Sequence, residues 1–170
     1  MIRVALFLLF AAFPAFGAEL KLATWNLNWL TLKQAGLPPD VVLRAPEDFA
    51  RLAEYAVALN ADAVALQEVA SREAAEAVFP RDRYSIHLTR DRVMQRVGWA
   101  IRRGLRYDIH PDYAALAGPP EVHLRSGADI TLHWTGGDIR VLAVHLKQGC
   151  QYLPLANSQR RACEIGRAHV

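Results

Sequence analysis

The apolar and polar positions fall into two kinds of segment. Residues 20–30 alternate between them, as a half-buried strand does, and carry Asn26 and Asn28 near their end. Residues 63–66 are continuously small and apolar, the pattern of a strand covered on both faces. That run ends on Gln67 and Glu68. A carboxylate at the carboxyl end of a buried strand is held at the rim of a sheet, where α/β folds place ligands. Between the two strands, Phe49, Leu52, Ala53, Ala56 and Leu59 recur at helical spacing. Pro46 suits the first turn of that helix, Glu47 and Asp48 favour its positive end, and Asn60 suits its C-cap. The spacing predicts a β-α-β unit. Residues 31–45, with Gly36, Pro38 and Pro39, read as a loop.

The remainder has an antiparallel character. Ser71 can cap a second helix that runs to about Val78 and is ended by Pro80. Residues 84–88 and 97–102 are candidate strands on either side of a charged turn, Arg90-Asp91-Arg92, and 105–110 is another. Residues 112–120 read as a loop. Residues 129–135 and 138–146 read as a hairpin about Gly136-Gly137, because glycine takes the positive φ of a tight turn. Trp25, Trp29, Trp99 and Trp134 lie in strand-like runs and are expected in the core. The pattern is that of an α/β domain, layered β-sheet covered by helices.

Composition changes this picture little. The 170 residues are 52% hydrophobic, enough for one well-filled domain. Of the formal charge of +3, Arg3 and Arg167 lie in terminal segments; discounting both leaves +1, so charge alone does not point to nucleic acid. Residues 1–18 have the form of a secretory signal: Arg3, an apolar stretch over residues 4–13, and the small-x-small site Ala15-Phe16-Gly17. Cleavage is expected after Gly17 or Ala18, and the apolar stretch is short of the ~20 residues that span a bilayer. The expectation is a secreted or periplasmic protein without a stable membrane anchor. Residues 165–170, Ile-Gly-Arg-Ala-His-Val, can be encoded by ATC GGA AGA GCA CAC GTC, a string found in a common sequencing adapter. They are expected to be a non-native tail, with the natural protein continuing differently past about Glu164.

Three short stretches carry the candidate chemistry: Thr24-Trp25-Asn26, Leu66-Gln67-Glu68, and Val141-Leu142-Ala143-Val144-His145-Leu146, a strand ending in His145. In type and order they resemble the first motifs of the endonuclease/exonuclease/phosphatase superfamily, the pancreatic deoxyribonuclease-like fold. The resemblance covers about residues 20–163, roughly the first half of such a domain. The family's later Asp-x-Asn and Ser-Asp-His motifs have no counterpart here. The resemblance implies a two-layer β-sandwich flanked by helices, truncated at its C-terminus. It implies Glu68 as ligand of a divalent metal (Mg2+, or Mn2+ or Ca2+), with help from the Asn26 amide. It implies that Asn26 orients phosphate or metal-bound water and that His145 contacts the scissile phosphate or assists proton transfer. Magnesium suits so small a set, since it is held by one or two carboxylates, waters and substrate phosphate.

Asn28 stands where many relatives carry Asp and is given no metal role. Residues 95–101, Gln-Arg-Val-Gly-Trp-Ala-Ile, resemble a segment near the active site of some relatives, which makes Arg96 a weak candidate for phosphate contact; Lys147 is another. On residue type alone, the alternatives are a turn-holding side chain for Asn26 and a satisfied strand-end histidine for His145. His87, His110, His123 and His133 have no partner motif. Some exported relatives carry a run like His145-Leu146-Lys147-Gln148-Gly149-Cys150 followed by a second cysteine, which implies a Cys150–Cys163 disulfide; two free thiols are the alternative. Such a bond closes a short loop and contributes about 3 kcal/mol.

The activity implied is an exported metal-dependent phosphodiester hydrolase. A nuclease is the first reading, with nucleic acid as partner and no protein partner expected. A phosphatase or sphingomyelinase-like enzyme is the alternative within the class, and a non-catalytic exported binding module of the same fold is the alternative outside it. The chain itself is expected to be an inactive fragment.

Overall fold

The computed structural model describes residues 19–118 and 124–146. Strand β1 (Leu22–Leu30) and strand β2 (Ala63–Val69) run parallel, joined by helix α1 (Pro46–Leu59). This is the β-α-β unit the spacing predicts. Glu47 and Asp48 occupy the first turn of α1, and Asp48 accepts the Ala45 N–H at 3.0 Å. Asn60 ends the helix in the left-handed conformation, φ 48°, a conformation asparagine tolerates better than most residues. Helix α2 (Arg72–Val78) is capped by the Ser71 hydroxyl, which accepts from the Ala74 N–H at 3.1 Å.

Strands β3 (Tyr84–Leu88) and β4 (Arg96–Arg102) complete a first sheet in the order β1-β2-β4-β3, and β4 runs antiparallel to β2. At Gly98 the strands β3 and β4 approach so closely that a Cβ would lie 2.0 Å from the His87 carbonyl oxygen. Strands β5 (Arg106–Ile109), β6 (Ala128–Trp134) and β7 (Gly137–Ala143) form a second, antiparallel sheet in that order.

The alternation along β2 and β4 builds two cores. Val64, Leu66 and Val69 meet Phe49, Ala56, Ala74, Ala75 and Val78 beneath the helices. Ala63 and Ala65 join Val97, Trp99, Ile101, Ala128, Ile130 and Leu132 between the sheets. The buried Trp99 indole donates to the Ala128 carbonyl at 2.8 Å across that gap. The result is the expected α/β two-sheet sandwich with helices on one face.

Several local expectations need correction. Strand β7 ends at Ala143, not Leu146, so His145 lies just past the strand rather than at its last turn. The hairpin turn is Thr135-Gly136; Gly137 already pairs with Trp134 and takes a φ of 124°. Residues 112–120 contain a short 3-10 turn, Ala114–Leu116. Only Trp99 of the four tryptophans is buried; Trp25, Trp29 and Trp134 are half-buried, since β1 and the tip of the hairpin have just one covered face.

His133, which sequence left without a partner, links three strands. Its Nε2 lies 3.0 Å from Asp108 Oδ2 on β5, and its Nδ1 lies 2.8 Å from Asp138 Oδ1 on β7. Ionised carboxylates only accept, so both ring nitrogens carry protons and the ring is an imidazolium. The Asp138 and Asp108 hydrogen bonds hold its pKa above the usual histidine value. A raised folded-state pKa adds stability that is complete below the unfolded value of about 6.5 and is lost as pH rises through the folded value. The melting temperature is therefore expected to fall modestly from pH 6 to pH 9, and His133→Asn to remove that slope. An unchanged slope in His133→Asn would assign it to other groups.

Candidate functional site

The registers of β1 and β2 break between Asn26 and Leu30, and those of β2 and β4 between Leu66 and Val69. Within the break Asn28, Trp29 and Glu68 take left-handed φ values of 44°, 58° and 61°. Each costs on the order of 1 kcal/mol for a residue with a side chain. Such irregularities re-aim side chains at sheet ends. By alternation Glu68 would follow Val64 and Leu66 under the helices; the left-handed backbone brings its carboxylate to the rim instead.

The surrounding chain fixes that irregularity. Arg44, in the loop before α1, donates to the carbonyls of Asn28 and Leu27, both at 2.9 Å. Gln67 and Thr24 bond one another across the strands, with Gln67 Nε2 3.0 Å from the Thr24 hydroxyl.

Glu68 collects four donors. Its Oε1 accepts from Asn26 Nδ2 at 3.0 Å and lies 3.3 Å from His145 Nε2. Its Oε2 accepts the Trp29 N–H at 3.1 Å and Gln95 Nε2 at 2.7 Å. Burial alone would push the Glu68 carboxyl up; the bonds from Asn26, Gln95 and Trp29, with the His145 charge, outweigh it and hold it below the usual range. The group is a rigid, ionised carboxylate. Burial pushes the His145 imidazole down, the Arg125 charge adds to this, and Glu68 opposes both. The Asn26 amide oxygen accepts the Asn28 N–H at 2.8 Å. The reverse orientation would set an NH2 against that N–H, so Asn26 turns its amine, not its oxygen, to Glu68.

The structure thus brings Asn26, Glu68 and His145 together. It does not bring Arg96 to them, since its guanidinium donates to the Ala70 carbonyl. Lys147, Cys150 and Cys163 lie outside the described residues. Two neighbours escaped sequence reading. Gln95 opens residues 95–101, where the expected phosphate contact was the adjacent Arg96. Arg125 precedes β6 with no local signal of its place; its Nη1 lies 3.3 Å from the Gln95 carbonyl and 3.4 Å from Gln95 Oε1.

Among the described residues no cluster of three or more His, Cys, Asp or Glu can hold a metal ion. That is unlike a zinc centre, with its three or four protein ligands. The donor set fits a hydrated hard cation anchored by Glu68 alone, its other positions left to water and a substrate oxygen.

No protein-family model matches the chain, and no curated protein matches it. Among solved structures it is similar to TDP2 from Caenorhabditis elegans, with a TM-score of 0.52 at 17% identity. The match covers 78% of this chain and 37% of that one, so the chain spans little more than a third of TDP2. What the two share is the fold, the two-sheet α/β sandwich.

Proposed function

We propose that this chain is the N-terminal part of an exported, divalent-metal-dependent phosphodiester hydrolase that acts on nucleic acid. The observation that carries the reading is Glu68: a carboxylate on a strained strand end, kept ionised by four donors beside His145. Strained backbone at a sheet rim, held by a dedicated set of side chains, is typical of functional sites. When bound there, Mg2+ would act as a Lewis acid on a phosphoryl oxygen and offset developing negative charge.

The chain's own residues do the rest. Glu68 anchors the cation. Asn26, Trp29 and Gln95 keep the carboxylate in one orientation. His145, with Nε2 toward Glu68 as its N–H, leaves Nδ1 as an acceptor for a proton or a hydrogen bond from substrate or water. Export is part of the proposal on the signal-like form of residues 1–18 alone, and it would allow a Cys150–Cys163 disulfide.

The sandwich also looks like half of a larger one. Leu22, on β1, is 42% exposed, and β7 pairs only with β6 among the described residues. Leu142, Val144 and Leu146, on and beyond β7, are exposed too. A second half would cover these positions and supply the remaining catalytic groups. The test uses the domain extended with the sequence that follows the Glu164 codon in its gene. It is expected to cleave DNA or a chromogenic phosphodiester with Mg2+ and to stop in EDTA. Cleavage unaffected by EDTA, or none at all in a folded extended domain, would refute the reading.

A further inference from the structure

A cleft of about 410 Å³ lies between β3 and β5, the edge strands of the two sheets. Its size is that of a small-molecule pocket, roughly 300–1,000 Å³. His87 and Arg90 line one side, and Ile109, His110, Pro111 and Asp112 the other. Sequence left His87 and His110 without a partner; the fold sets them in one cleft. With Asp112 they do not form a cluster that can hold a metal ion.

The walls are fixed. His110 Nε2 and the Thr131 hydroxyl lie 2.8 Å apart, and the His110 N–H donates to the Asp129 carbonyl at 3.0 Å. Asp112 Oδ2 accepts the Arg90 N–H at 2.7 Å, which ties the two sides together. Asp112 Oδ1 accepts from no group among the described residues, and the exposed Arg90 guanidinium donates to none. Burial pushes the His87 imidazole down, the Asp112 charge opposes this, and the Arg72 and Arg90 charges add to it, so the ring is neutral. Its Nε2 is sealed from solvent without a partner, so the ring meets the cleft through the rest of its surface. One loop joins the cleft to the Glu68 site. Arg90 lines the cleft, Asp91 accepts the Ser126 N–H at 2.9 Å and its hydroxyl at 2.8 Å, and Gln95 donates to Glu68 at 2.7 Å. The chain from Arg90 to Gln95 spans at most about 18 Å, about five nucleotides of a stacked strand.

We infer that this cleft seats one unpaired base of a single-stranded nucleic acid whose backbone continues to Glu68. The inference rests on the reading of Glu68 as a phosphoester site and narrows the substrate to single strands. Bases stack on flat side chains, and the two imidazoles with Pro111 offer such surfaces. In a duplex the faces of a base are covered by its neighbours and its edge by its partner, so only an unpaired base can enter. Asp112 Oδ1 accepts from the exocyclic amine of cytosine or adenine; thymine, which has no amine, fits less well. The Arg90 guanidinium takes a phosphate of the same strand by its planar fork.

The experiment measures binding of labelled single strands to the extended domain by fluorescence anisotropy, in EDTA so that metal-dependent cleavage is off. The strands are of equal length: deoxycytidine, thymidine and abasic sugar-phosphate. Backbone contacts are common to all three, so the ratios of affinity report the base. Wild type is expected to bind the deoxycytidine strand about tenfold more tightly than the abasic one, with thymidine between. His87→Ala should bring deoxycytidine and abasic strands close together. Asp112→Asn should erase the preference for deoxycytidine over thymidine, because its amide oxygen goes to the Arg90 N–H and its amine faces the amine of the base. Equal binding of deoxycytidine and abasic strands by wild type overturns the seat, as does an unchanged ratio in His87→Ala. Should His87→Ala not fold, Asp112→Asn decides alone: an undiminished preference for deoxycytidine over thymidine overturns it. Mn2+ binding, measured separately, tests Glu68. Base-dependent binding in a domain that holds no Mn2+ would sink the hydrolase reading and leave this seat standing.

Discussion

Replacing Glu68 with Gln is expected to lower Mg2+-dependent cleavage by the extended domain at least about a thousandfold, because several kcal/mol of metal-borne charge stabilisation is removed. Gln has almost the same shape but no charge to hold a hard cation. It also cannot satisfy the four donors that converge on Glu68, since one of its ends is itself a donor. The local network loosens, yet the fold should stay: the buried Val64 and Leu66 beneath it are untouched. Near-ultraviolet circular dichroism would establish the fold and kcat/KM with Mg2+ the loss. A mutant with wild-type turnover at saturating Mg2+ would remove Glu68 from the site.

The second large effect concerns the 170-residue chain by itself. It is expected to cleave neither DNA, RNA nor a simple phosphodiester, and to associate on expression. Phosphoryl transfer depends on positioning and on charge stabilisation from several directions at once. This chain offers Glu68, Asn26 and His145 as proposed, and a second half would supply the remaining groups. The stability argument is separate. Strand β7 leaves one edge unpaired among the described residues, and Leu142 and Ile139 on it are 41% and 36% exposed. Open edges flanked by apolar side chains pair with other chains. Extension with the downstream sequence should restore both solubility and cleavage. Size-exclusion chromatography and a cleavage assay decide. A monomeric chain that melts cooperatively and hydrolyses a phosphodiester would overturn the division of the site between two halves.

How much of this was legible in the sequence follows from the range of each interaction. The β-α-β unit was legible because its signals are local: alternation in β1, the helical spacing of Phe49, Leu52 and Ala56, and a cap at Asn60. Glu68 stood out because a buried run ended on it. The left-handed backbone at Asn28, Trp29 and Glu68 was not legible, since Trp and Glu seldom adopt positive φ and the segment is held there by Arg44 and by Glu68 itself. Arg125 reaches Gln95 across 30 residues of chain, and His133 finds Asp108 only through the register of β5 and β6. No periodicity encodes such contacts. The end of β7 was misplaced because Val144 and Leu146 continue the apolar pattern after the pairing with β6 has stopped.

The central claim is that Glu68 anchors a divalent cation in a phosphoester site. Its most direct test is Mn2+ binding, read from the relaxation of solvent water protons, in the wild-type extended domain and in Glu68→Gln. One Mn2+ per molecule, displaced by Mg2+ and lost in Glu68→Gln, is the predicted result. Mn2+ bound equally well by Glu68→Gln would contradict it.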